Sequence, residues 1–329
     1  MRAMTADWVQ VGPSGYWHAA LLYASRGELV AQVAGFLTSG VQAAEPVLVA
    51  AAEPDLSLLL ARLGDLGGRL DGQGEQVTWV DMSEVGRNPA RLIDTFKMFA
   101  AKHPGRMARC VQEPAWPDRS RDELAEVIRH EALLNLAFAG TPVRVLCPYA
   151  DELGDEVTAC AERTHPVLIR DGQTRPSASY PAPGLIPGEC DWPLSRPPDG
   201  AEMLTYRDQL AAVRQFTAER AARAGLPPYR VADLALAVSE LAANTLAHTG
   251  GPGSVTVWTA DGEFLCQIHD AGQITDPLAG RLRTDPGSLE GGRGLWVVQQ
   301  VCDLAEIRTG PAGTTIRLHM RLSTGSARR

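Results

Sequence analysis

The chain is 329 residues long, with 45% hydrophobic and 21% charged residues and a formal net charge of −8. That length suits two domains better than one, and the composition excludes a fibrous or disordered protein. The acidic balance, with no basic cluster beyond an Arg-Arg at the C-terminus, argues against direct nucleic-acid binding, which leans on clustered Lys and Arg.

The start, "MRAMTADWVQVGPSG", has no apolar signal-peptide core, and no run of about 18 uninterrupted apolar residues reads as a membrane span. Cys110, Cys147, Cys160, Cys190, Cys266 and Cys302 lie far apart without a C-x-x-C pair. Neither a zinc ribbon, a thioredoxin-type site nor a disulfide scaffold is therefore expected. The expectation is a cytoplasmic protein with no membrane contact.

Residues 1–175 alternate strand-like and helix-like runs. "ALLYAS" and "PVLVAAA" read as buried strands around the amphipathic helix "RGELVAQVAGFLTSGV". "DLSLLLARLGDL" is helical, "QVTWVDM" a strand and "NPARLIDTFKMFAAKH" a helix. The strand "ARCVQEP", the helix "RDELAEVIRHEALLNLAFAG", the strand "VRVLCPY", a helix near Glu152–Glu162 and the strand "HPVLIR" continue the pattern. Such alternation predicts a parallel α/β sheet covered by helices. Residues 176–200 follow as a linker, since Pro176, Pro181, Pro183, Pro187, Pro193, Pro197 and Pro198 oppose regular helix or central strand.

Residues 201–329 are organised differently. Helical patterns at Thr205–Ala224 and Val231–Ala247 precede the strands "SVTVWTA" and "EFLCQIHD", joined at Asp261-Gly262, a hairpin signal. A loop, the helix "GLWVVQQVCDL" and the strands "AEIRT" and "TTIRLHM" complete an α+β two-layer pattern.

In the second of these helices Val231, Leu234, Val238, Leu241, Ala242 and Thr245 form an apolar face, and Glu240, Asn244 and His248 a neighbouring stripe. The E-x-x-x-N spacing alone is weak, because Glu131 and Asn135 in "HEALLN" share it. Only the later pair is followed in order by "DAG" at Asp270 and Gly272, by "GGRGL" opening a helix, and by "GTTIRL" entering the last strand. These four boxes, spanning 205–320, resemble the nucleotide-binding motifs of the GHKL (Bergerat-fold) ATPases and kinases, and most of all the anti-sigma-factor serine kinases.

The resemblance implies ATP and Mg²⁺ as cofactors. It gives Asn244, a neutral hard oxygen ligand, to Mg²⁺, and gives Glu240 the role of general base for in-line attack. Asp270 would accept a hydrogen bond from the adenine amine, and Gly272 would let the backbone approach the base. Thr314 would support that contact through water. Gly292 and Gly294, with Leu295 completing the box, would offer backbone N–H groups to phosphate at a helix start, and Arg293 would add a charge-assisted bond. Gln273–Glu290 would be the nucleotide lid. His248 reads as a helix cap rather than a catalytic group.

In the N-terminal part, "PVLVAAAEPDLSLLLARLG" lacks G-x-x-x-x-G-K-[ST], so no ordinary phosphate cradle is present. "HAALLYASRGELVAQVAGFLTSGV", "RHEALLN", "CPY" and "THP", over roughly residues 15–170, resemble the MEDS sensory domain, a RecA-like fold without Walker motifs. That resemblance implies a small-molecule or metabolic-state sensor, with His18, Tyr23, His130, Glu131, Asn135, Cys147, Tyr149 and His165 as candidate pocket residues. Cys147 beside Pro148 reads as a buried small hydrophobe.

Together these imply an anti-sigma factor that holds a sigma factor, phosphorylates a STAS-type anti-anti-sigma partner on Ser or Thr, and forms a homodimer through the kinase domain. One alternative is a non-catalytic, ATP-dependent module that sequesters a partner. Another is a sensor histidine kinase with His130 as phosphoacceptor, but strands follow His130 where a hairpin of two long helices is needed.

Overall fold

A computed structural model describes residues 15–52, 55–64, 77–85, 87–117, 119–182, 192–283 and 292–322. The chain divides into two compact units, Met1–Trp192 and Pro193–Arg329. The division falls within the proline-rich stretch. Among the described residues no helix is long and apolar enough to cross a membrane.

The first unit runs β1 (Trp17–Tyr23), α1 (Arg26–Gln42), β2 (Val47–Ala51), α2 (Asp55–Gly64), β3 (Val77–Asp81), α3 (Met82–Val85), α4 (Ala90–Ala101), β4 (Ala108–Gln112), α5 (Arg121–Ala137), β5 (Val143–Ala150), α6 (Asp155–Thr164), β6 (Val167–Arg170) and β7 (Gln173–Pro176). Among the described residues its sheet has the order β3-β2-β4-β5-β1-β6-β7, parallel except for β7. The central strands β1, β2 and β4 are buried throughout, as parallel strands covered on both faces must be. The parallel sheet expected from the alternation is present. Only Ala24 and Ser25 separate β1 from α1, so the turn that holds a phosphate cradle in Walker proteins is here a plain N-cap. The Ser25 hydroxyl accepts from the Glu28 N–H at 3.3 Å.

Two details differ from the expectation. The helix expected near Glu152–Glu162 is broken at Gly154, whose φ of +88° admits no helix, so α6 starts at Asp155. Beyond the last expected strand, β7 adds an antiparallel edge through the turn at Asp171-Gly172, both at positive φ. Pro176 is tolerated there because an edge strand need not donate on its open side.

The second unit runs β8 (Glu202–Tyr206), α7 (Leu210–Arg223), α8 (Pro228–Thr249), β9 (Gly253–Ala260), β10 (Glu263–Asp270), α9 (Arg293–Val301), β11 (Leu304–Gly310) and β12 (Gly313–Arg321). Its antiparallel sheet has the order β11-β12-β10-β9-β8 among the described residues. The helices pack on one face, giving the two-layer α+β arrangement of a Bergerat fold. The hairpin turn lies at Asp261 and Gly262, with φ of 49° and 77°, matching the right-handed strand twist. The helix expected from Thr205 starts instead at Leu210. Thr205 and Tyr206 belong to β8, where the alternation of exposed Met203 with inward Leu204 and Tyr206 is the period of a strand.

Helix α8 is the spine of this unit. Pro228 starts it with a preset φ, and Leu234, Ala237, Val238, Leu241 and Ala242 bury against the sheet. Gly250, in the left-handed region at φ 61°, ends it. Arg230 near its start donates to the Val301 carbonyl and to Asp303, each at 2.7 Å, so the C-terminal end of α9 is pinned to α8.

A buried histidine makes the sheet sensitive to pH. His319, 3% exposed, lies between Glu263 on β10 at 2.7 Å and Glu306 on β11 at 3.0 Å, with Arg321 and Arg308 beside those carboxylates. Burial alone would lower its pKa, but the two carboxylates outweigh burial and push it up to about 9. A folded pKa above the unfolded value of about 6.5 means a stabilisation fully present below pH ~6.5 and lost as pH rises through ~9. The melting temperature should therefore fall between pH 7 and pH 9.5 by an amount that His319→Gln abolishes, read by calorimetry of the full chain. Equal slopes in both proteins would show that His319 is not protonated in the fold.

Candidate functional site

Register across the sheet builds one end of the site. Asp270, the last residue of β10, pairs directly with Thr314 on β12, and Thr314 pairs with Thr309 on β11. The Asp270 carboxylate is held from two sides: Oδ2 accepts from the Thr245 hydroxyl at 2.7 Å and Oδ1 from the Gly272 N–H at 2.8 Å. Tyr206 OH lies 3.1 Å from Thr245 Oγ1. With the Thr245 proton committed to Asp270, tyrosine is the donor and the three groups form a chain that polarises toward the carboxylate.

A second chain fixes the loop after β10. The Ile274 N–H donates to Thr309 Oγ1 at 3.0 Å, Thr309 and Thr314 hydroxyls are 2.9 Å apart, and Thr314 donates to the Gly272 carbonyl at 2.8 Å. Thr314 thus ties the loop at Gly272 directly to β12. The glycines are close-approach sites. A Cβ on Gly272 would lie 3.0 Å from Asp270 Oδ1, and one on Gly313, at φ +111°, would run into the Asp270 carbonyl.

The opposite wall is α8 against the start of α9. Glu240 and Asn244 are half-buried one turn apart, while His248 is exposed. A Cβ on Gly294 would stand 2.7 Å from Glu240 Oε2 and 3.4 Å from Asn244 Nδ2, so a larger residue there would have to push the Glu240 carboxylate aside. Gly292 precedes the helix at φ 110°, and the first N–H groups of α9 have no partners inside the helix.

Between these walls is a cavity of about 280 Å³ lined by Asn244, Asp270, Gly272, Gly292, Leu295 and Thr314, together with Leu241, His248, Ile268, Ile274 and Ile316. Six of the nine residues singled out from the sequence therefore share one cavity, with Arg293 and Gly294 next to it at the start of α9 and Glu240 facing Gly294 from α8. Apolar side walls around one fixed carboxylate suit a flat, amine-bearing base, and an open helix start suits phosphate. The donor set thus fits ATP. Residues 284–290 of the expected lid lie outside the described residues. Its described part is anchored at Gly280, φ +76°, where a Cβ would lie 2.9 Å from Leu295 Cβ. Sequence reasoning missed Thr245, which it counted as part of the apolar face, and Tyr206, which it placed in a helix.

The N-terminal candidates separate into two groups. Tyr23 lines a cavity of about 670 Å³ at the carboxyl ends of the parallel strands, with Arg26, Asp55, Arg87, Glu113 and Trp116, the usual ligand position in such sheets. Burial, with Asp55 adding to it, pushes Glu113 up to about 8 despite the Ala52 N–H it accepts. His18, His130, Glu131, Asn135, Cys147, Tyr149 and His165 line no open pocket there; they converge in the interior, each at most 4% exposed. Cys147 is buried as the sequence suggested, and its thiol lies 3.3 Å from Glu131 and 3.4 Å from His18. Burial, then the neighbouring His165, lowers the His18 pKa.

A two-layer sandwich carrying Glu and Asn under a glycine-opened helix, with an Asp-x-Gly on the facing strand, defines the second unit as an ATPase-type nucleotide module. Family comparison agrees. Residues 205–320 match the histidine kinase-like ATPase domain, and residues 17–166 match MEDS, the methanogen/methylotroph, DcmR sensory domain. The chain thus carries a MEDS domain followed by a histidine kinase-like ATPase domain, a regulatory kinase-type ATPase with a sensor. No curated protein matches it. Two solved structures overlap in part. The RsbU and RsbW domains of Rv1364c from Mycobacterium tuberculosis align at 23% identity over 37% of this chain and 32% of that one, TM-score 0.28. The ATPase domain of G40P aligns at 11% identity over 46% of this chain and 68% of that one, TM-score 0.30. The chain thus spans about a third of the length of the first, and overlaps this loose carry no functional weight.

Gly294→Ala should weaken ATP binding at least about tenfold, the equivalent of ~1.4 kcal/mol, with the melting temperature of the ligand-free chain nearly unchanged. Calorimetric titration with Mg-ATP reads the first and a thermal melt the second. Unchanged affinity would remove the start of α9 from the nucleotide site.

Proposed function

We propose that residues 201–329 bind ATP with Mg²⁺ and phosphorylate a serine or threonine of a partner protein, that residues 1–175 sense a small molecule or metabolic state, and that residues 176–200 link the two. The observation that carries this reading is the pairing of Glu240 with Asn244 on α8 beneath Gly294.

Bound ATP would supply the phosphoryl group, with Mg²⁺ neutralising its charge. Asn244 offers the protein's oxygen ligand to the metal, and Asp270, with Gly272 and Thr314 behind it, selects the adenine. Gly292, Arg293, Gly294 and Leu295 open the phosphate end. Glu240 would accept the hydroxyl proton of the partner's serine or threonine as its oxygen bonds to the γ-phosphorus and the bridging bond to ADP breaks, ADP leaving. The cavity at Tyr23 and Glu113 is the place for a sensed ligand. The resemblance to anti-sigma-factor kinases supplies the clients, a sigma factor and a STAS-type anti-anti-sigma protein, for a cytoplasmic homodimer. A histidine-kinase reading is opposed by His130 itself, which is fully buried with Nε2 3.0 Å from Gln112 and unreachable by a phosphate donor.

Glu240→Gln should cut phosphate transfer from labelled ATP to a serine-bearing STAS partner by roughly 10²–10⁴-fold and leave ATP affinity within about threefold. Asn244→Ala should lose the Mg²⁺ dependence of binding. A wild-type chain that binds ATP and its partner but transfers no phosphate would leave the sequestering module standing in place of the kinase. Full transfer by Glu240→Gln would remove Glu240 as the base.

A further inference from the structure

Helix α5 is buried along most of its length although it carries His130, Glu131 and Asn135. Glu131 is completely buried, and three further donors from three other elements meet it there: His18 on β1, Cys147 on β5, and His165 just after α6, all likewise buried. His18 and Cys147 share one face of the sheet, because Ala20, two residues beyond His18, pairs with Cys147. From these residues we propose that His18, Glu131, Cys147 and His165 form a closed, four-coordinate site for a divalent transition-metal ion, zinc above all.

Geometry is the first support. One donor atom from each residue lies within 4.8 Å of every other. His18 Nε2 is 3.0 Å from Glu131 Oε2 and 3.4 Å from Cys147 Sγ; Cys147 Sγ is 3.3 Å, and His165 Nε2 3.2 Å, from the same Glu131 oxygen. Zinc bonds of about 2.0–2.3 Å place tetrahedral ligands roughly 3.3–3.7 Å apart. These four separations therefore need change by only a few tenths of an ångström to admit the ion, and none of the six exceeds 4.8 Å.

The tautomers are the second. His165 Nδ1 lies 2.8 Å from the Ala161 carbonyl, an acceptor only, so Nδ1 carries the proton. Its Nε2 faces Glu131 yet makes no hydrogen bond among the described residues. His18 Nδ1 lies 3.0 Å from Asn135 Oδ1, and Asn135 is fixed in that orientation because its amide donates to the Thr164 carbonyl at 2.7 Å and the Glu131 carbonyl at 3.2 Å. Both imidazoles thus turn an Nε2 lone pair toward the same carboxylate oxygen, and that of His18 also toward the Cys147 sulfur. Lone pairs converging in a dry interior demand a cation, and one shared proton can satisfy only one of the two.

The surroundings are the third. Gln112 donates to the other oxygen of Glu131 at 2.8 Å and accepts from His130 at 3.0 Å, leaving Oε2 for the ion. Groups that orient ligands from behind, as Gln112, Asn135 and the Ala161 carbonyl do, are the usual second layer of a metal site. A sulfur and two imidazoles exclude Mg²⁺ and Ca²⁺ and suit Zn²⁺ or Co²⁺. Coordination forms the metal–sulfur bond as the Cys147 thiol releases its proton to solvent. With four protein donors no position is open for substrate, so the ion ties β1, β5, α5 and α6 together.

The test uses the full chain with any affinity tag removed. Metal analysis should find close to one equivalent of zinc, and a chelator should lower the melting temperature, restored by added zinc. Cobalt added to the stripped chain should give the intense visible bands of a tetrahedral site and a near-ultraviolet thiolate charge-transfer band. Cys147→Ala should lose that band and Cys110→Ala keep it. If Cys147→Ala fails to fold, His165→Gln and the wild-type cobalt spectrum decide. A folded wild type with no bound metal, no response to chelator and no thiolate band overturns the proposal, as does a band that survives in folded Cys147→Ala.

Discussion

The hydrogen bond from Thr245 to Asp270 joins the helical layer of the C-terminal unit to its sheet at the point where the cavity opens. Asp270 ends a strand and would otherwise point a free carboxylate into a mostly apolar recess, at a cost of several kcal/mol if unpaired. Thr245 removes that cost and sets the carboxylate's direction, Tyr206 backs Thr245, and the Gly272 N–H takes the second oxygen. The threonine pair Thr309 and Thr314 then holds the loop that leaves the strand. Each hydroxyl has its proton committed, so the wall facing the cavity is rigid before any ligand arrives, which lowers the entropy cost of binding.

The sheet of the N-terminal unit and the hairpin of the C-terminal one were legible because period and turn chemistry agreed: apolar runs in chain order, Asp-Gly between alternating strands. The nucleotide boxes were legible because their order is informative where each spacing is not. What escaped notice has a common cause. The strand Glu202–Tyr206 is short, at the sheet edge and continuous in composition with the helix after it, and the strand Gln173–Pro176 ends in a proline. Thr245 sits on the apolar face of its helix and packs as a hydrophobe while its hydroxyl serves Asp270. A linear pattern counts a side chain once and cannot show that it does two things.

The two E-x-x-x-N pairs make the same point from the other side. Glu240 and Asn244 stand half-buried beside a cavity, and Glu131 and Asn135 lie in the interior of another unit. Identical spacing on identical secondary structure gives opposite surroundings, because what meets each helix comes from other elements of the chain: His18 is 113 residues from Glu131 in sequence and 3.0 Å from it in space. Two histidines, a cysteine and a glutamate on or beside four elements offer no spacing to read; the parallel pairing of β1 with β5 brings His18 and Cys147 together, and α5 and the end of α6 add the other two.

The grip of Arg230 on Val301 and Asp303 gives α9 the mechanics of a lever. Its fulcrum is the clamped C-terminal end; its working end, at Gly292 and Gly294, lies against Glu240. Nine residues of helix make an arm of about 13 Å at ~1.5 Å per residue, so a rotation of only about 5° at the clamp moves the free end by roughly 1 Å. That travel is comparable to the clearance that separates glycine from any larger residue at position 294. With one end clamped and the other seated on a side chain, the fit at position 294 depends on how α9 is angled as much as on the residue placed there.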